Sequence, residues 1–165
     1  MNRSIYLLSI IFIVTTACGG GSVNKQSAGC DAPKPQAIFN DKPDEILKHT
    51  FSLKGQNAEE NLSLRDGTEL IIFQSGCEKI AQEFRFTLPS NKNANTVDLA
   101  LERLMYLANM DAAFMSFANW SQAIEGLREQ FSLQNEIEVE PGFFVGLDRI
   151  NSTDKTLLII KLFQK

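Results

Sequence analysis

The chain has 165 residues, of which 44% are hydrophobic, and its 16 basic and 20 acidic side chains give a formal net charge of −4 at pH 7. This length is enough for one domain with a sizeable core. The basic residues form no run, which argues against a nucleic-acid-binding protein, because such proteins contact phosphates through clustered Lys and Arg.

The first 18 residues have the layout of a signal peptide. Arg3 precedes an apolar run, from Ile5 to Val14, that is interrupted only by Ser9, and small residues then lead to Cys18. A membrane-spanning helix needs roughly 20 apolar residues, whereas the apolar core of a signal peptide needs about 7 to 15. The segment therefore predicts export and not a transmembrane helix.

The residues around Cys18 resemble a known targeting motif. The run Thr15-Thr16-Ala17-Cys18, followed by Gly19-Gly20-Gly21-Ser22, resembles the lipobox of bacterial lipoprotein precursors, with Thr15 where that family usually has Leu, Val or Ile. The resemblance covers the targeting segment only. The alternative is an ordinary secretory signal with a coincidental cysteine.

The lipobox resemblance implies a chemical anchor. The Cys18 thiol would be diacylglycerated, residues 1–17 removed, and the protein held on a membrane by fatty acids such as palmitate, since two or more acyl chains give stable anchoring. Gly19 in place of Asp implies the outer membrane, facing the periplasm or the cell surface, if the cell has two membranes. Because the lost segment carries only Arg3, the net charge of the mature chain would be −5.

The mature chain divides by composition into a tether and a domain. Residues 18–36 are rich in Gly, Ser, Asn, Lys, Gln and Pro, and such a segment cannot bury enough apolar surface to offset its ordering entropy. We therefore expect a flexible tether over residues 18–36 and a single domain over residues 37–165.

Two cysteines remain once Cys18 is acylated. In an oxidising compartment an isolated pair within one small domain favours a disulfide over a metal or redox site, so we expect a bond between Cys30 and Cys77. The alternative is two thiols that are free or separately buried.

The first half of the domain has the pattern of strands. A short helical turn is expected over Asp44–His49, and from Thr50 apolar residues alternate with polar ones. The sequence Arg65-Asp66-Gly67 predicts a hairpin turn, because glycine accepts the positive φ that a tight turn needs. Thr68–Gln74 is apolar on both faces and predicts a central strand. The next strand should bury one row of apolar side chains and leave the other face wet; that row is Ile80, Phe84, Phe86 and Leu88.

The middle of the chain predicts two helices. Asn95 with Asp98 is typical of a helix start, and apolar residues then follow at helical spacing; they are Val97, Ala100, Leu101, Leu104, Leu107 and Ala108. Asn119 or Ser121 is the predicted cap of a second helix with a buried row formed by Ile124, Leu127 and Phe131.

The C-terminal part returns to strands. A strand with alternating glutamates is followed by the turn Pro141-Gly142 and a strand from Phe143, and Thr156–Phe163 predicts another central strand. Hairpins before and after a helical block favour an α+β fold, in which an antiparallel sheet carries a central two-helix block on one face.

The sequence offers little material for catalysis. His49 is its only histidine, and we interpret it as a solvent-facing or capping residue between a helical turn and a strand. A thiol enzyme that pairs Cys77 with His49 is an alternative, but it competes with the disulfide. No motif indicates a metal site, a cofactor or a phosphate loop.

An acidic row is the most distinctive surface feature. Alternation should place Glu136, Glu138 and Glu140 on one face of a strand. One interpretation is a solvated edge strand that its charge keeps from aggregating. The sharper one is a docking face for a cationic protein, with Phe143 or Phe144 as an aromatic anchor.

The functional hypothesis is a non-enzymatic, lipid-anchored binding or inhibitor module. The second hypothesis is a carrier of a small ligand or lipid, with a cleft between helices and sheet. A group of methionines and phenylalanines could line that cleft, although their helical spacing is also typical of core residues. The group consists of Met105, Met110, Phe114, Met115 and Phe117. An enzyme is the third hypothesis.

Overall fold

Seven antiparallel strands form one sheet, and the helices pack on one of its faces. The computed structural model describes residues 33–40, 43–76, 81–90 and 93–164. The strands are β1 (Ile46–Lys54), β2 (Asn57–Leu64), β3 (Glu69–Ser75), β4 (Ala81–Pro89), β5 (Glu136–Glu140), β6 (Phe143–Asn151) and β7 (Lys155–Gln164). Between β4 and β5 lie α1 (Thr96–Ala108), a 3-10 turn (Ala112–Phe114), α2 (Met115–Gly126) and the single-turn α3 (Arg128–Phe131). The predicted α+β class is confirmed.

The strand order is β1-β2-β3-β4-β7-β6-β5. Because β7 inserts between β4 and β6, it joins the hairpins before the helices to those after them. The predicted central strands are confirmed, since β3 and β7 each have a neighbour on both sides. The two edges of the sheet are β1 and β5.

The core lies between the sheet and the helices. One face of every central strand is buried there, including Phe84 and Phe86, which are both fully inaccessible. Phe117 of α2 meets Phe84 edge-on, with ring centroids 5.6 Å apart. The apolar row predicted for α1 is confirmed except at Leu101, which is only partly buried. Leu99, which was not predicted, is buried together with Val97, Ala100, Leu104, Leu107 and Ala108.

Two local predictions are wrong. Asp44–His49 is not a helical turn, because β1 begins at Ile46, whose side chain is buried and whose backbone pairs with β2. The second helix is not capped by Asn119 or Ser121, because both lie inside α2. The chain turns earlier, at Asp111, whose carboxylate accepts a hydrogen bond from the Ala113 N–H at 2.8 Å, and the 3-10 turn then runs directly into α2.

The segment before β1 lies over β2 and β3 on the helix side of the sheet. The Gln36 carbonyl accepts a hydrogen bond from the Gln74 side chain at 2.9 Å. The Phe39 ring is fully buried against Phe114, with ring centroids 4.7 Å apart. The fold therefore includes residues that precede its first strand.

The N-terminal predictions fall largely outside the described residues. Cys18, Cys30 and Cys77 are not among them, nor are residues 1–32. The signal peptide over residues 1–17, the tether over 18–36, the single domain over 37–165 and the disulfide therefore stay predictions.

Candidate functional site

The acidic strand β5 forms one edge of the sheet. Glu136, Glu138 and Glu140 all have exposed side chains, while Ile137 between them is buried. In the described part of the chain β5 pairs only with β6. No other described strand therefore lies on its outer side.

A β-bulge divides the three glutamates between two faces. Glu138 lies opposite Phe144, but the register then shifts, and Glu140 lies opposite Phe143. Since directly opposed residues of two strands project to the same face, Glu138 shares the open face with Phe144, and Glu140 shares the helix face with Phe143. The expected alternation therefore fails at Glu140.

An apolar groove lies between α2 and the tip of the β5–β6 hairpin. It has a volume of about 480 Å³. The rings of Trp120 and Phe143 lie 6.0 Å apart, centroid to centroid, and both line it. The remaining lining residues are Ser116, Asn119, Gln122, Ala123, Val139 and Glu140. The groove thus combines an aromatic pair with a polar rim that includes one of the three carboxylates.

The two predicted aromatic anchors lie on opposite faces of the sheet. Phe143 is in the groove, whereas Phe144 stacks on Phe163 of β7 on the open face, with ring centroids 5.6 Å apart. The structure therefore brings Phe143 together with Glu140, and Phe144 together with Glu138.

Trp120 is the groove residue that sequence reasoning missed. Its helix was expected to begin at Asn119 or Ser121, which left Trp120 near a cap. Once α2 is known to begin at Met115, Ser116, Asn119, Trp120 and Ala123 stand at helical spacing on one face. The same spacing could have revealed this face in the sequence.

The methionines and phenylalanines proposed as a cleft lining do not line this groove. Phe114 and Phe117 are buried in the core, at 7% and 4% exposure. Met105 and Met115 are exposed on the helices, and Met110 packs against the core.

His49 holds a buried carboxylate instead of facing solvent, so the interpretation of it as a solvent-facing or capping residue is wrong. It lies in β1, and its Nε2 is 2.8 Å from Oε1 of Glu60, whose side chain is fully buried. The Glu60 carboxylate also accepts hydrogen bonds from the backbone N–H groups of Ile38, at 2.8 Å, and Phe39, at 2.9 Å. His49 and Glu60 thus attach the segment before β1 to the sheet.

The described residues contain neither a metal-binding cluster nor a membrane-spanning helix. No group of three or more His, Cys, Asp and Glu side chains there is placed to hold a metal ion. No helix among these residues has the length and apolar character needed to cross a bilayer.

No protein-family model, curated protein or solved structure matches this chain. Its function is therefore argued from the groove and the edge strand beside it.

Proposed function

We propose that the chain is a bacterial envelope lipoprotein, anchored in the outer membrane through acylated Cys18, whose domain is a non-enzymatic binding or inhibitor module for an extended cationic polypeptide. The observation that supports this most is the apolar groove at Trp120 and Phe143, directly beside the acidic edge strand. The fold serves as a scaffold, and the module faces the periplasm or the cell surface.

The edge strand supports an extended ligand. A polypeptide that pairs with the outer side of β5 would project alternate side chains to the two faces of the sheet. Side chains on the helix face would then enter the groove next to Val139 and Phe143, while those on the open face would pass Glu138. One bound strand can thus contact both the groove on the helix face and Glu138 on the open face.

The charge of the edge supports a cationic ligand. Glu136, Glu138 and Glu140 are exposed within one five-residue strand. Such a cluster increases the association rate of a cationic partner and opposes an anionic one, and salt screens the effect, with a Debye length of about 10 Å at 0.1 M.

Trp120 provides a direct test, because it is the only tryptophan of the chain and lines the groove. The test ligand is a short synthetic peptide in which lysine alternates with leucine and phenylalanine. It is titrated into the processed chain, and the fluorescence of Trp120 is measured. We expect saturable binding that weakens as salt is added. The same peptide with glutamate in place of lysine should bind much more weakly.

Two triple variants identify the carboxylates that matter. Glu136→Gln/Glu138→Gln/Glu140→Gln should weaken binding about tenfold, equivalent to about 1.4 kcal/mol, and reduce its salt dependence. The control Glu59→Gln/Glu69→Gln/Glu102→Gln makes the same change in net charge at three other exposed glutamates and should leave both unchanged. Equal affinity and equal salt dependence in both variants would rule out the acidic edge as the binding face.

A carrier of a small apolar ligand is the second candidate. The groove volume of about 480 Å³ falls within the range of about 300 to 1,000 Å³ that is common for ligand sites. Two results together would favour the carrier. Free palmitate would change Trp120 fluorescence equally in the wild type and in Glu136→Gln/Glu138→Gln/Glu140→Gln, and the lysine peptide would not bind.

A further inference from the structure

The opposite edge of the sheet carries exposed apolar side chains. On β1, Phe51 is 37% exposed and Leu53 is 41% exposed. Phe51 lies opposite the buried Glu60, and Leu53 lies opposite the buried Ala58, so both project to the helix face. Lys54 is the next residue and therefore projects to the open face.

This pattern is complementary to that of the β5 edge. On the helix face, β1 offers Phe51 and Leu53, and β5 offers the groove at Val139. On the open face, Lys54 of β1 would meet the carboxylate of Glu138. The two edges thus match in both hydrophobicity and charge.

We propose that the cationic strand bound at β5 is β1 of a second copy of this chain. Phe51 and Leu53 of one copy cover the groove of the other, and Lys54 lies on the same face as Glu138, within its reach. This inference rests on the proposed function, because it names the partner of the same binding site.

The direction of the strands supports a parallel addition. Within the sheet, β1 and β5 run the same way, and each ends at a turn, at Gly55 and Gly142, on the same end of the sheet. Parallel pairing of β5 with a second β1 therefore keeps both copies in the same orientation.

The orientation of the copies fits a common membrane. The Pro33 carbonyl oxygen lies 3.5 Å from the position that a Cβ on Gly76 would occupy, at the same end of the sheet as these two turns. In a parallel assembly the described N-terminal segments of all copies lie at that end. Chains that are anchored through Cys18 in one membrane could adopt this arrangement.

The contact joins different surfaces of the two copies, so it is heterologous. After one β5–β1 contact forms, one copy still presents β1 and the other still presents β5. Such contacts continue into a ring or an open row of chains. Assembly should therefore pass beyond the dimer as the protein concentration rises.

Blocked variants test the inference in sedimentation experiments on the non-acylated mature chain with Cys18→Ser. Glu138→Lys/Glu140→Lys blocks β5, and Leu53→Lys/Lys54→Glu blocks β1. The wild type should form assemblies larger than a dimer in a concentration-dependent way, and each variant alone should be monomeric. An equal mixture of the two should give a dimer and nothing larger, because only one compatible pair of edges remains.

A charge-swapped chain separates loss of binding from loss of folding. Lys54→Glu alone should weaken self-association at least tenfold, and Lys54→Glu combined with Glu138→Lys should recover most of it. A wild type that stays monomeric at all concentrations, or blocked variants that do not dimerise when mixed, would overturn the proposal. If the lysine peptide still binds at Trp120 in that case, the proposed function stands and only the identity of its partner is lost.

Discussion

A single buried carboxylate, Glu60, holds the segment before β1 on the sheet. Its oxygens accept hydrogen bonds from the backbone N–H groups of Ile38 and Phe39, and one oxygen also contacts His49 Nε2. The three donor–acceptor distances are 2.8 to 2.9 Å. A buried carboxyl group is tolerated only when its oxygens are hydrogen-bonded, and its partners depend on it in turn. The contact therefore determines where Phe39 enters the core.

Removal of one oxygen from Glu60 should be costly. In Glu60→Gln an amide NH₂ replaces one acceptor and faces a buried donor, so we expect the free energy of unfolding in urea to fall by about 1 to 3 kcal/mol. Glu59→Gln is the matched control. Its side chain is exposed and keeps an acceptor for Asn61, so a change within about 0.5 kcal/mol is expected. Similar losses in both variants would contradict the structural role of Glu60.

Asp66 connects the β2–β3 turn to α1. Its carboxylate accepts hydrogen bonds from the Thr68 N–H at 2.9 Å and from Arg103 at 2.5 Å. Burial raises the pKa of Asp66, but the hydrogen bonds from Thr68 and Arg103 and the charge of Arg103 outweigh it, so the pKa lies below its ordinary value. The folded state therefore favours the ionised carboxylate.

The Asp66 contribution should disappear in acid. A depressed folded-state pKa stabilises the fold above the unfolded-state pKa, and that stabilisation is lost as the pH falls through the folded-state value. Asp66→Asn should lower the free energy of unfolding by roughly 1 kcal/mol at neutral pH, with the deficit shrinking below about pH 5. Asp154→Asn, in an exposed turn, serves as the control. A deficit for Asp66→Asn that grows towards low pH would contradict the assignment.

Among the elements, α1 is the one whose start is clearest from local chemistry. The Asn95 side chain accepts a hydrogen bond from the Val97 N–H at 2.7 Å, and Asp98 lies in the first turn. A side-chain acceptor satisfies an amide that has no partner within the helix, and an acid complements the helix dipole. Such a cap can be recognised without knowing what the helix packs against.

The two asparagines proposed as caps should differ in their effect on stability. Asn95→Ala should lower the free energy of unfolding by about 1 kcal/mol, and Asn95→Ser should restore most of it. Asn119→Ala, inside α2, removes no cap and should be neutral or slightly stabilising, because alanine has the higher helix propensity. Thermal unfolding of the three variants measures the difference. Equal losses in the two alanine variants would indicate that Asn95 does not act as a cap.

At the scale of the whole molecule, Pro33, the first described residue, and the groove lie towards the same end of the sheet. The chain from Cys18 to Pro33 would span about 50 Å if fully extended. Pro33 lies beside Gly76, on the end of the sheet that also carries the β5–β6 turn. The proposed binding site would thus lie at the end of the sheet to which the predicted tether connects.

The anchor itself can be tested in cells. Labelled palmitate should enter the wild-type protein, and the protein should fractionate with membranes. Cys18→Ser should take up no label and leave the membrane fraction, whereas Cys30→Ser should behave as the wild type does. A Cys18→Ser protein that still fractionates with membranes would overturn the account of its location.

The disulfide is the second prediction at this scale. Pro33 follows Cys30 by three positions, and Gly76 directly precedes Cys77. Because Pro33 lies beside Gly76, only short segments separate this contact from the two cysteines. The chain-entropy model assigns about 4 kcal/mol to closing a loop of this length. Intact mass after alkylation should show both thiols blocked only when a reductant is present. Two alkylated thiols without reductant would remove the bond.

Patterns confined to a few residues determined most of the fold. The turn at Asp66-Gly67, the start of α1 at Asn95 and the central strand after Thr68 each follow from local chemistry and periodicity. From these patterns the sequence alone predicts an antiparallel sheet with helices on one face. It also predicts the acidic strand and, by resemblance to the lipobox, an acylated Cys18.

Only the tertiary structure decided which residues form the candidate binding site. Trp120 and Phe143 are separated in the sequence by a helix end and a strand, and they meet because α2 packs beside the β5–β6 hairpin. The bulge that turns Glu140 into the groove, and the strand order that places β5 and β1 at opposite edges, arise from long-range pairing. Local periodicity says which way a side chain projects from its own strand, but not which strand or helix lies opposite it, because that choice depends on how the whole chain buries its apolar surface.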